Sequence, residues 1–468
     1  MSKIIYPPAS KPMSVARRLV ADCFTINGSR TLAFVQHQWW MWNGRSWGIV
    51  DELNVRAVIW DRLENVYYED DKGSFEWAPS TSKVTNLIEP LQILTSVPQE
   101  FTAPAWLDGD AQDNAGDLVS LENGVLNLRT GAFTKGHTPA LFVTWHLPFR
   151  YQPKATCPTW EWFLGDIFAH DPSGRRALQE WFGYVLSGRT DLQKGFGIIG
   201  PSRGGKGVIS RTLKQIIGAG NHVSPSLATL GGEFGMQSLV GKPLAILEDA
   251  RSDRANRTNI VVERLLSIIG EDQVSINRKN TTFWDGTLPT RVMLVSNEVP
   301  TLGDASGAIT GRFVWIKLRK SYKDNPDTTL GARINRELPG IFLWALEGLR
   351  RLDATGEFTE PSSMGDVRDL MADLSQPTMT FLDESEKYEF TGNPKDWVLL
   401  KEVHHAYKVW CDSVGASPLK QVNFANSLDA ANPDIVVRNK AVDGEKKARR
   451  VFGVKEVETD AWIISQSA

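Results

Sequence analysis

The chain has 468 residues, of which 41% are hydrophobic and 23% are charged, and its formal net charge at neutral pH is −3. This length predicts several domains and provides enough apolar material for a buried core. The nearly balanced charge excludes a generally basic protein, so any contact with nucleic acid has to come from local basic patches.

The cysteines, the histidines and the apolar runs exclude further classes of protein. The three cysteines, Cys23, Cys157 and Cys411, are far apart, which argues against a disulfide framework or a zinc site and is typical of a reducing cytoplasm. The seven histidines have no metal-ligand spacing. The N-terminus lacks the apolar run of a signal peptide, and no run approaches the ~18 apolar residues of a membrane span. We therefore expect a cytoplasmic protein with no membrane partner.

Residues 1–118 are rich in aromatic residues, and we expect an α+β region there. Eleven of the 17 tryptophans lie before residue 190. Residues 38–47, Q-W-W-M-W-N-G-R-S-W, predict a hairpin with Asn43-Gly44 as its turn, and residues 54–68 predict a helix. The tryptophans could stack on single-stranded bases, but such side chains are more often core, and we favour core.

Residues 119–190 predict a strand pair followed by a helical collar. A turn at Asn123-Gly124 joins the two strands, and residues 159–187 are predicted to be helical, with apolar side chains on one face. A helical collar directly before a nucleotide-binding core is a common place for subunit contacts.

The stretch 196–217 is the most informative in the chain. A short apolar strand, F-G-I-I, precedes G-P-S-R-G-G-K-G and an amphipathic helix. The spacing G-x-x-x-x-G-K is that of a phosphate-binding loop, in which backbone N–H groups and the helix dipole attract phosphates and the lysine reaches the β- and γ-phosphates. We predict that a nucleotide is bound by the loop residues Gly200, Pro201, Ser202, Arg203, Gly204, Gly205, Lys206, Gly207 and Val208.

One position of this loop departs from the usual pattern. Gly207 stands where a serine or threonine ordinarily ligates Mg²⁺. Glycine in this position occurs in nucleotide-binding loops that hold Mg²⁺ through waters. Ser210 lies a turn further on, and from the sequence it is a poor substitute. The departure preserves nucleotide binding and leaves direct metal ligation by the loop open.

Two later strands of the region 191–355 predict the remaining catalytic groups near the nucleotide. Residues 243–247 are apolar and end in Glu248-Asp249, a pattern that delivers carboxylates to Mg²⁺ and to the attacking water. We predict both acids as catalytic residues and metal ligands, and which of them takes which role stays open. A second apolar strand ends in Ser296-Asn297, and the Asn297 amide can reach the γ-phosphate or orient the water.

Arg312 directly precedes another apolar strand. A guanidinium supplied by a neighbouring subunit stabilises the charge that develops on a transferring phosphoryl group. Taken by itself, this arginine would be unremarkable. Its position 15 residues after Asn297, in a multi-strand nucleotide core, predicts a catalytic role.

Residues 270–280 predict a hairpin whose return strand passes through Phe283 and Trp284. Arg278 and Lys279 lie at its basic tip. In the mouth of a ring, such a tip could hold the phosphates of a threaded DNA strand, although an ordinary solvated hairpin would have the same composition.

Residues 356–376 are rich in glycine, proline, serine and aspartate and predict a linker, and residues 377–468 predict a separate unit. Two helices joined by a short turn precede two strands, the pattern of a winged helix. Seven Lys/Arg and two acids lie between residues 438 and 455, which favours contact with a DNA backbone, although winged helices also bind proteins. The candidate DNA-binding residues of this wing are Lys446, Lys447, Arg449 and Arg450.

Several of these segments together resemble the helicase part of phage and plasmid primase–helicases, the poxvirus-type group of superfamily 3 helicases. The resemblance rests on N-G-V-L-N-L-R-T-G, F-L-G-D-I-F, E-W-F-G-Y-V-L-S-G, E-R-L-L-S-I-I-G-E-D-Q-V-S-I-N-R-K, V-S-N-E-V-P and D-A-S-G-A-I-T-G-R-F. It implies an α/β, AAA+-like P-loop core that assembles as a homo-hexameric ring, hydrolyses ATP with Mg²⁺ and translocates on single-stranded DNA.

The resemblance also implies roles for individual residues. It puts Lys206 and Gly205 on the phosphates, and Glu248 or Asp249 on Mg²⁺ and water. It makes Asn297 the sensor and Arg312 the arginine finger, and it puts Arg278 and Lys279 in the DNA-binding hairpin. Many relatives carry an N-terminal primase–polymerase domain, but this chain begins too close to the collar for us to expect one.

These observations predict an ATP-dependent DNA helicase of phage, prophage or plasmid replication in the bacterial cytoplasm. Its expected partners are single-stranded and forked DNA, with a primase or an initiator protein as a candidate protein partner. An alternative is an ATP-dependent origin-binding initiator that melts DNA without processive unwinding. A small-molecule kinase is a third reading, because G-K-G occurs in nucleoside-monophosphate kinases, but Asn297, Arg312 and the C-terminal winged helix argue against it.

Overall fold

The computed structural model of the chain describes residues 3–98, 101–107, 113–248, 258–279, 283–300, 308–324, 326–375, 377–414, 418–432, 434–442 and 446–457. The chain folds as a mixed α/β protein, which agrees with the predicted class. Among these residues, every helix is too short or too polar to cross a lipid bilayer.

The N-terminal region packs three helices against short antiparallel strands. Its helices are α1 Pro12–Cys23, α2 Glu52–Glu64 and α3 Thr81–Thr95. Its strands are β1 Thr25–Ile26, β2 Ser29–Arg30, β3 Leu32–Val35, β4 Gln38–Trp42, β5 Trp47–Val50, β6 Tyr67–Asp70 and β7 Gly73–Glu76. The predicted hairpin is confirmed, since Trp42 pairs with Trp47 across the turn. The predicted helix 54–68 ends earlier, at Glu64, because the β-favouring Tyr67 and Tyr68 join the β6–β7 ribbon.

Three of the N-terminal tryptophans are core side chains, as the sequence favoured, whereas Trp60 is exposed. Trp39, Trp47 and Trp77 are buried. Trp39 and Trp77 pack with the apolar faces of α1–α3, and Trp47 stacks on Phe142. These contacts give the aromatic composition of the region a structural explanation.

The next region contains the predicted strand pair and the predicted helical segment, which forms two helices. Its elements are β8 Ala105–Trp106, β9 Leu118–Leu121, β10 Gly124–Asn127, β11 Phe133–Lys135, β12 Leu141–Phe142, α4 Pro158–Ile167 and α5 Pro172–Ser187, with a 3₁₀ turn at Ala115–Asp117. The prediction that residues 159–187 are helical is therefore confirmed, except that residues 168–171 separate two helices. Pro172 stands in the first turn of α5 and Asp171 caps that helix, so the chain starts a new helix there.

The central region is built on a five-stranded parallel sheet with helices on both faces. Its strands are β13 Gly195–Ile199, β14 His222–Val223, β15 Leu244–Glu248, β18 Arg291–Ser296 and β19 Phe313–Lys317, in the order β14-β15-β18-β13-β19, with an antiparallel hairpin formed by β16 Gln273–Ile276 and β17 Trp284–Thr287. Its helices are α6 Lys206–Ile217, α7 Leu227–Leu230, α8 Thr258–Ile269, α9 Ala308–Arg312, α10 Leu330–Asn335 and α11 Leu338–Thr355, with a 3₁₀ turn at Gln237–Leu239.

Alternate residues of the central strands serve two hydrophobic cores. Phe196, Ile198 and Ile246 face the core that contains α5, α6 and α11. Ala245 and Leu247 face the other core, with α8. Because both faces are covered, the strands are continuously apolar, as parallel strands usually are. The carboxyl ends of β15, β18 and β13 lie side by side at one edge of the sheet.

The segment 356–376, predicted as a linker, contains the helix α12 Met364–Ser375. Met364, Val367 and Met371 are buried in the core that also contains Phe313 and Trp315 of β19. A tether is thus the wrong description of the helical part of this segment. Its apolar side chains lie at helical spacing and bury against the sheet, while Gly356, Pro361, Ser362 and Ser363 precede the helix.

The described part of the C-terminal region contains three helices, a three-stranded antiparallel sheet and a two-stranded sheet. Its elements are α13 Pro377–Glu384, β20 Tyr388–Phe390, β21 Trp397–Leu399, α14 Leu400–Val414, α15 Gln421–Ala431, β22 Val436–Lys440, β23 Ala448–Phe452 and β24 Val454–Glu456. The two strands predicted near the end of the chain pair as β22 and β23. The three-stranded sheet, in the order β21-β23-β22, also contains a strand that the sequence did not predict, because β21 precedes α14 and pairs with β23. The two-stranded sheet consists of β20 and β24.

A buried carboxylate joins α5 to the segment before α12. Asp171 is 1% exposed, and it accepts hydrogen bonds from Ser173, Gly174, Ser362 and Ser363. Ser363 Oγ also accepts the backbone N–H of Lys317 at the end of β19. Burial by itself raises the pKa of Asp171, but these hydrogen bonds outweigh it and hold the pKa well below its usual range.

Asp171→Ala should lower the free energy of unfolding of the core by about 3 kcal/mol at neutral pH, because it leaves several buried donors without an acceptor. Urea unfolding would measure the loss, with the exposed Asp61→Ala as the control. Since the folded-state pKa is depressed, this stabilisation is present above the unfolded carboxyl pKa of ~3.9 and is lost as the pH falls through the folded value. The difference in free energy of unfolding between wild type and Asp171→Ala should therefore become smaller as the pH falls. A difference that becomes larger in acid would contradict a lowered pKa of Asp171 in the folded state.

Candidate functional site

The glycine-rich loop 200–205 connects the carboxyl end of β13 to the first turn of α6. Gly205 has φ +94°, a left-handed conformation that side chains disfavour. A Cβ atom on Gly200 would lie 2.8 Å from the carbonyl oxygen of Leu318, so a side chain there would collide with backbone. Two glycines of the predicted motif are thus required by the geometry of the loop.

Residues that follow β19 brace this loop from the side. The backbone N–H of Tyr322 donates to the carbonyl oxygen of Arg203 at 3.1 Å, and Ser321 Oγ donates to that of Ser202 at 2.9 Å. The Tyr322 hydroxyl and the Lys320 ammonium in turn bind Asp166 of α4. Hydrogen bonds from Lys320 and then Tyr322 lower the pKa of Asp166. Hydrogen bonds through residues 320–322 therefore connect the collar helix α4 to the loop.

Lys206, the first residue of α6, lies within the loop and is 7% exposed. Its ammonium donates to the carbonyl oxygens of Gly200 at 2.6 Å and Pro201 at 2.7 Å, and to Asn297 Oδ1 at 2.9 Å. Burial lowers the pKa of Lys206. All three acceptors are neutral, so these contacts do not offset the positive charge. A buried cation held in this way favours an incoming anion.

Asn297 reaches this lysine because of the order of the strands. β18 lies next to β13 in the sheet, and Ser296 is in register with Ile199, the last residue before the loop. The residue after β18 therefore emerges beside the residue after β13. The structure thus brings together Asn297 and Lys206, which are 91 positions apart in the sequence.

Glu248 ends β15, and two side chains of α6 hold its carboxylate. Ser210 Oγ donates to Glu248 Oε1 at 3.1 Å, and Lys214 Nζ lies 2.9 Å from the same oxygen. The glutamate side chain is 46% exposed, whereas Ser210 is buried. Asp249, the other predicted acid, lies outside the described residues.

A cavity of about 270 Å³ lies over the loop and joins these groups. It is lined by Ser202, Arg203, Gly204, Gly205, Lys206, Gly207, Ser210, Arg211, Glu248, Val295, Ser296 and Asn297. At one end of this space is the amino terminus of α6, where N–H groups and the helix dipole favour negative charge. The arrangement can accommodate phosphate groups between Lys206 and Glu248.

The residues present fit a magnesium ion that is bound together with phosphates. Mg²⁺ prefers oxygen ligands and is commonly held by one or two carboxylates plus substrate phosphates. Glu248 supplies one carboxylate, and both of its described contacts use Oε1. No group of three or more His, Cys, Asp or Glu that could hold a metal by itself occurs among the described residues. A metal here would depend on the nucleotide.

Sequence reasoning undervalued Ser210 and missed Lys214. From the sequence, Ser210 was judged a poor substitute for the hydroxyl that is missing at position 207. In the structure, Ser210 lines the cavity and its Oγ contacts Glu248, a predicted catalytic acid. Lys214 follows it by four positions, so both side chains lie on one face of α6. That spacing was the available signal, but only the fold brings this face to the end of β15.

Arg312 lies at the amino ends of the strands, opposite the carboxyl ends where the cavity is. The next residue, Phe313, is in register with Gly195 at the start of β13, and the strand runs a further four residues to the loop. At ~3.3 Å per residue, the separation is roughly 13 Å along the strand alone. Arg312 Nη1 donates to Gln193 Oε1 at 2.6 Å, beside Lys194. In one copy of the chain, Arg312 is not part of the candidate site.

The hairpin β16–β17 carries Arg278 and Lys279 at its described end, and residues 280–282 of its tip lie outside the described residues. The backbone N–H of Lys279 donates to Gln237 Oε1 at 3.1 Å. Arg278 lines a cleft of about 830 Å³ between the core and the N-terminal region, together with Phe283 and Trp284. Phe283 is 61% exposed.

The basic residues of the β22–β23 hairpin divide into two kinds. Lys446, Lys447 and Arg449 are exposed. Arg450 is fully buried, with its guanidinium 4.5 Å from the centre of the Trp397 ring and bonded to the carbonyl oxygen of Lys440. The predicted DNA contact of Arg450 is therefore wrong for this structure, because its side chain holds the strands together. A run of basic residues in the sequence does not show which of their side chains face solvent.

Comparison with known families identifies two segments of the chain. Residues 34–169 match the model described as "D5 N terminal like", a domain found in phage and plasmid primase–helicase proteins. Residues 198–312, which contain the glycine-rich loop, match a family of unknown function, DUF5906. The first match confirms, at the level of this domain, the resemblance to phage and plasmid primase–helicases, and it supports an association with replication.

Two solved structures resemble the chain over most of its length. The A-form apo structure of the NrS-1 C-terminal region is 12% identical, with 94% of this chain and 99% of that chain covered and a TM-score of 0.49. Another apo structure of the same region is 14% identical, with 95% and 99% covered and a TM-score of 0.47. No curated protein matches the chain in sequence.

Proposed function

We propose that the protein is an ATP-driven DNA helicase of phage, prophage or plasmid replication, with a P-loop, AAA+-like core of superfamily 3. One observation carries the proposal. Lys206, Asn297 and Glu248 come from three different segments and meet around one cavity at the carboxyl edge of a parallel sheet. This edge is where nucleotides bind in sheets of this kind, and the match to the D5 N-terminal-like domain gives it a replication context.

Each of these residues has a chemical role in this proposal. Lys206 exchanges its backbone acceptors for the β- and γ-phosphates, and Asn297 orients the water or the γ-phosphate. Glu248, together with Asp249, holds Mg²⁺ and activates the attacking water. Mg²⁺, when bound, neutralises charge on the phosphate oxygens. Ser210 and Lys214 orient the Glu248 carboxylate through Oε1.

The distant Arg312 supports a ring as the active form. Since it lies at the amino ends of the strands, away from the cavity of its own chain, its catalytic role requires a nucleotide held by another copy of the chain, as in a homo-hexamer. The hairpin with Arg278 and Lys279 would then contact single-stranded DNA inside the ring. The C-terminal region, as a winged helix, would contact the duplex arm of a fork through Lys446, Lys447 and Arg449. A primase or an initiator protein is the protein partner we propose, in the bacterial cytoplasm.

The second candidate is an ATP-dependent initiator that binds an origin and melts it without processive unwinding. The exposed basic hairpin of the C-terminal region favours this reading, because duplex binding is what an initiator needs. ATP-dependent displacement of a labelled strand from a forked duplex separates the two. We expect displacement of strands well beyond one site size. Local melting without release of the strand would favour the initiator.

Arg278→Ala with Lys279→Ala should weaken binding of single-stranded DNA and reduce its salt dependence. Each lost phosphate contact lowers the slope of log K against log salt by about one. Titration of a labelled oligonucleotide at several salt concentrations would measure both. A matched control, Arg17→Ala with Lys72→Ala, removes the same charge from exposed N-terminal positions and should leave the slope unchanged. An unchanged slope in the hairpin variant would exclude the hairpin from the DNA path.

A further inference from the structure

Helix α6 places a second cation over the candidate nucleotide cavity. Arg211 follows Gly207 by four positions, so both lie on the same face, and long helical side chains lean towards the helix amino terminus. A Cβ atom on residue 207 would lie 3.1 Å from Arg211 Nη1 and 3.7 Å from its Cζ. The guanidinium therefore occupies the space into which a side chain at position 207 would project.

Arg211 differs from the two lysines of the same helix in its contacts. Lys206 is held by three oxygen acceptors, and Lys214 is paired with Glu248. Arg211 is exposed and lines the cavity, and no hydrogen bond or ion pair joins its side chain to another residue in the described part of the chain. A guanidinium beside a helix amino terminus and a cavity that fits phosphate is well placed to bind a phosphate anion.

We propose that Arg211 is a further nucleotide-binding residue that contacts a phosphate group of ATP, and that glycine at position 207 gives its guanidinium access. This inference rests on the proposed ATP site. The planar fork of arginine matches phosphate oxygens, and its charge is permanent. In this chain, the hydroxyl that usually binds Mg²⁺ at position 207 is exchanged for a cation that acts on the phosphate directly.

Equilibrium binding of a fluorescent ATP analogue to the full chain tests the first part. Arg211→Ala should raise the Kd about tenfold, because a charge-assisted contact to phosphate is lost. The loss should persist in EDTA, since the guanidinium acts on the phosphate and not through the metal. Arg211→Lys keeps the charge without the fork and should lose less. The control is Arg17→Ala, which removes an exposed arginine of α1 and should leave the Kd unchanged.

The second part is tested by coupling to position 207. Gly207→Thr should displace the guanidinium and weaken binding in EDTA. In the Gly207→Thr background, Arg211→Ala should then change the Kd by less than twofold, a clear departure from additivity. Additive effects of the two substitutions would overturn the claim that Gly207 provides access.

The remaining outcomes are distinct. If wild type binds ATP, Lys206→Ala does not, and Arg211→Ala stays within twofold of wild type, this inference fails and the proposed function stands. If wild type does not bind ATP at all, both fail. Circular dichroism of each variant checks that the fold is kept, which we expect because Arg211 is exposed on the helix surface.

Discussion

Lys206→Ala is expected to abolish ATP hydrolysis while the chain stays folded. In the proposed site, the ammonium is the cation closest to the phosphates, and alanine cannot stabilise the charge that develops during phosphoryl transfer. A loss of at least about 10²-fold in steady-state ATPase follows from the size of such electrostatic effects. The substitution removes three hydrogen bonds but also a desolvated charge, so we expect a modest effect on folding.

Steady-state phosphate release, measured with and without single-stranded DNA, tests this expectation. Lys242→Ala is the matched control, because Lys242 donates to the carbonyl oxygen of Gly220, away from the cavity, and its loss should leave hydrolysis intact. Activity of Lys206→Ala within a few-fold of wild type would show that the glycine-rich loop is not the catalytic site. The thermal transition of each variant separates loss of chemistry from loss of structure.

Local signals in the sequence predicted the parts of the fold that depend on neighbouring residues. The strand–loop–helix around Lys206, the hairpin turn at Asn43-Gly44 and the strand ending at Glu248 each have a short-range pattern. Backbone geometry explains the success, since turns, caps and buried strands select their residues locally. The polar residues after parallel strands also converge at one edge, which makes the pairing of Asn297 with Lys206 understandable from strand order.

The features that the sequence left unpredicted depend on contacts between distant segments. The packing of α12 on β19 requires the sheet to exist, and composition alone made that segment a linker. Arg450 illustrates the same point, because burial against Trp397 of β21 follows from a strand pairing that the sequence pattern did not reveal. The contacts of Ser210 and Lys214 with Glu248 form only when α6 packs beside β15, so the sequence alone does not reveal them.

Arg312→Ala should bind ATP nearly normally and hydrolyse it about 10³-fold more slowly. Its side chain lies outside the cavity of its own chain, so the substitution leaves that binding pocket unchanged. The guanidinium is proposed to act on the nucleotide of the adjacent subunit, where it stabilises charge only in the assembled ring. Binding of a fluorescent ATP analogue and steady-state ATPase measure the two effects separately. Arg336→Ala, which removes an exposed arginine after α10, is the control.

Mixing Arg312→Ala with Lys206→Ala supplies the sharper test of action between subunits. Each variant is inactive alone, but a mixed ring contains interfaces that pair an intact Lys206 pocket with an intact Arg312 from the neighbour. We expect part of the ATPase activity to return on mixing, provided that subunits exchange and that a single intact interface can hydrolyse ATP. Native mass spectrometry of differently tagged chains would establish that mixed rings form. Substantial ATPase in a monomeric, ring-deficient variant, lost again on Arg312→Ala, would overturn the assignment, because the arginine would then act within its own chain.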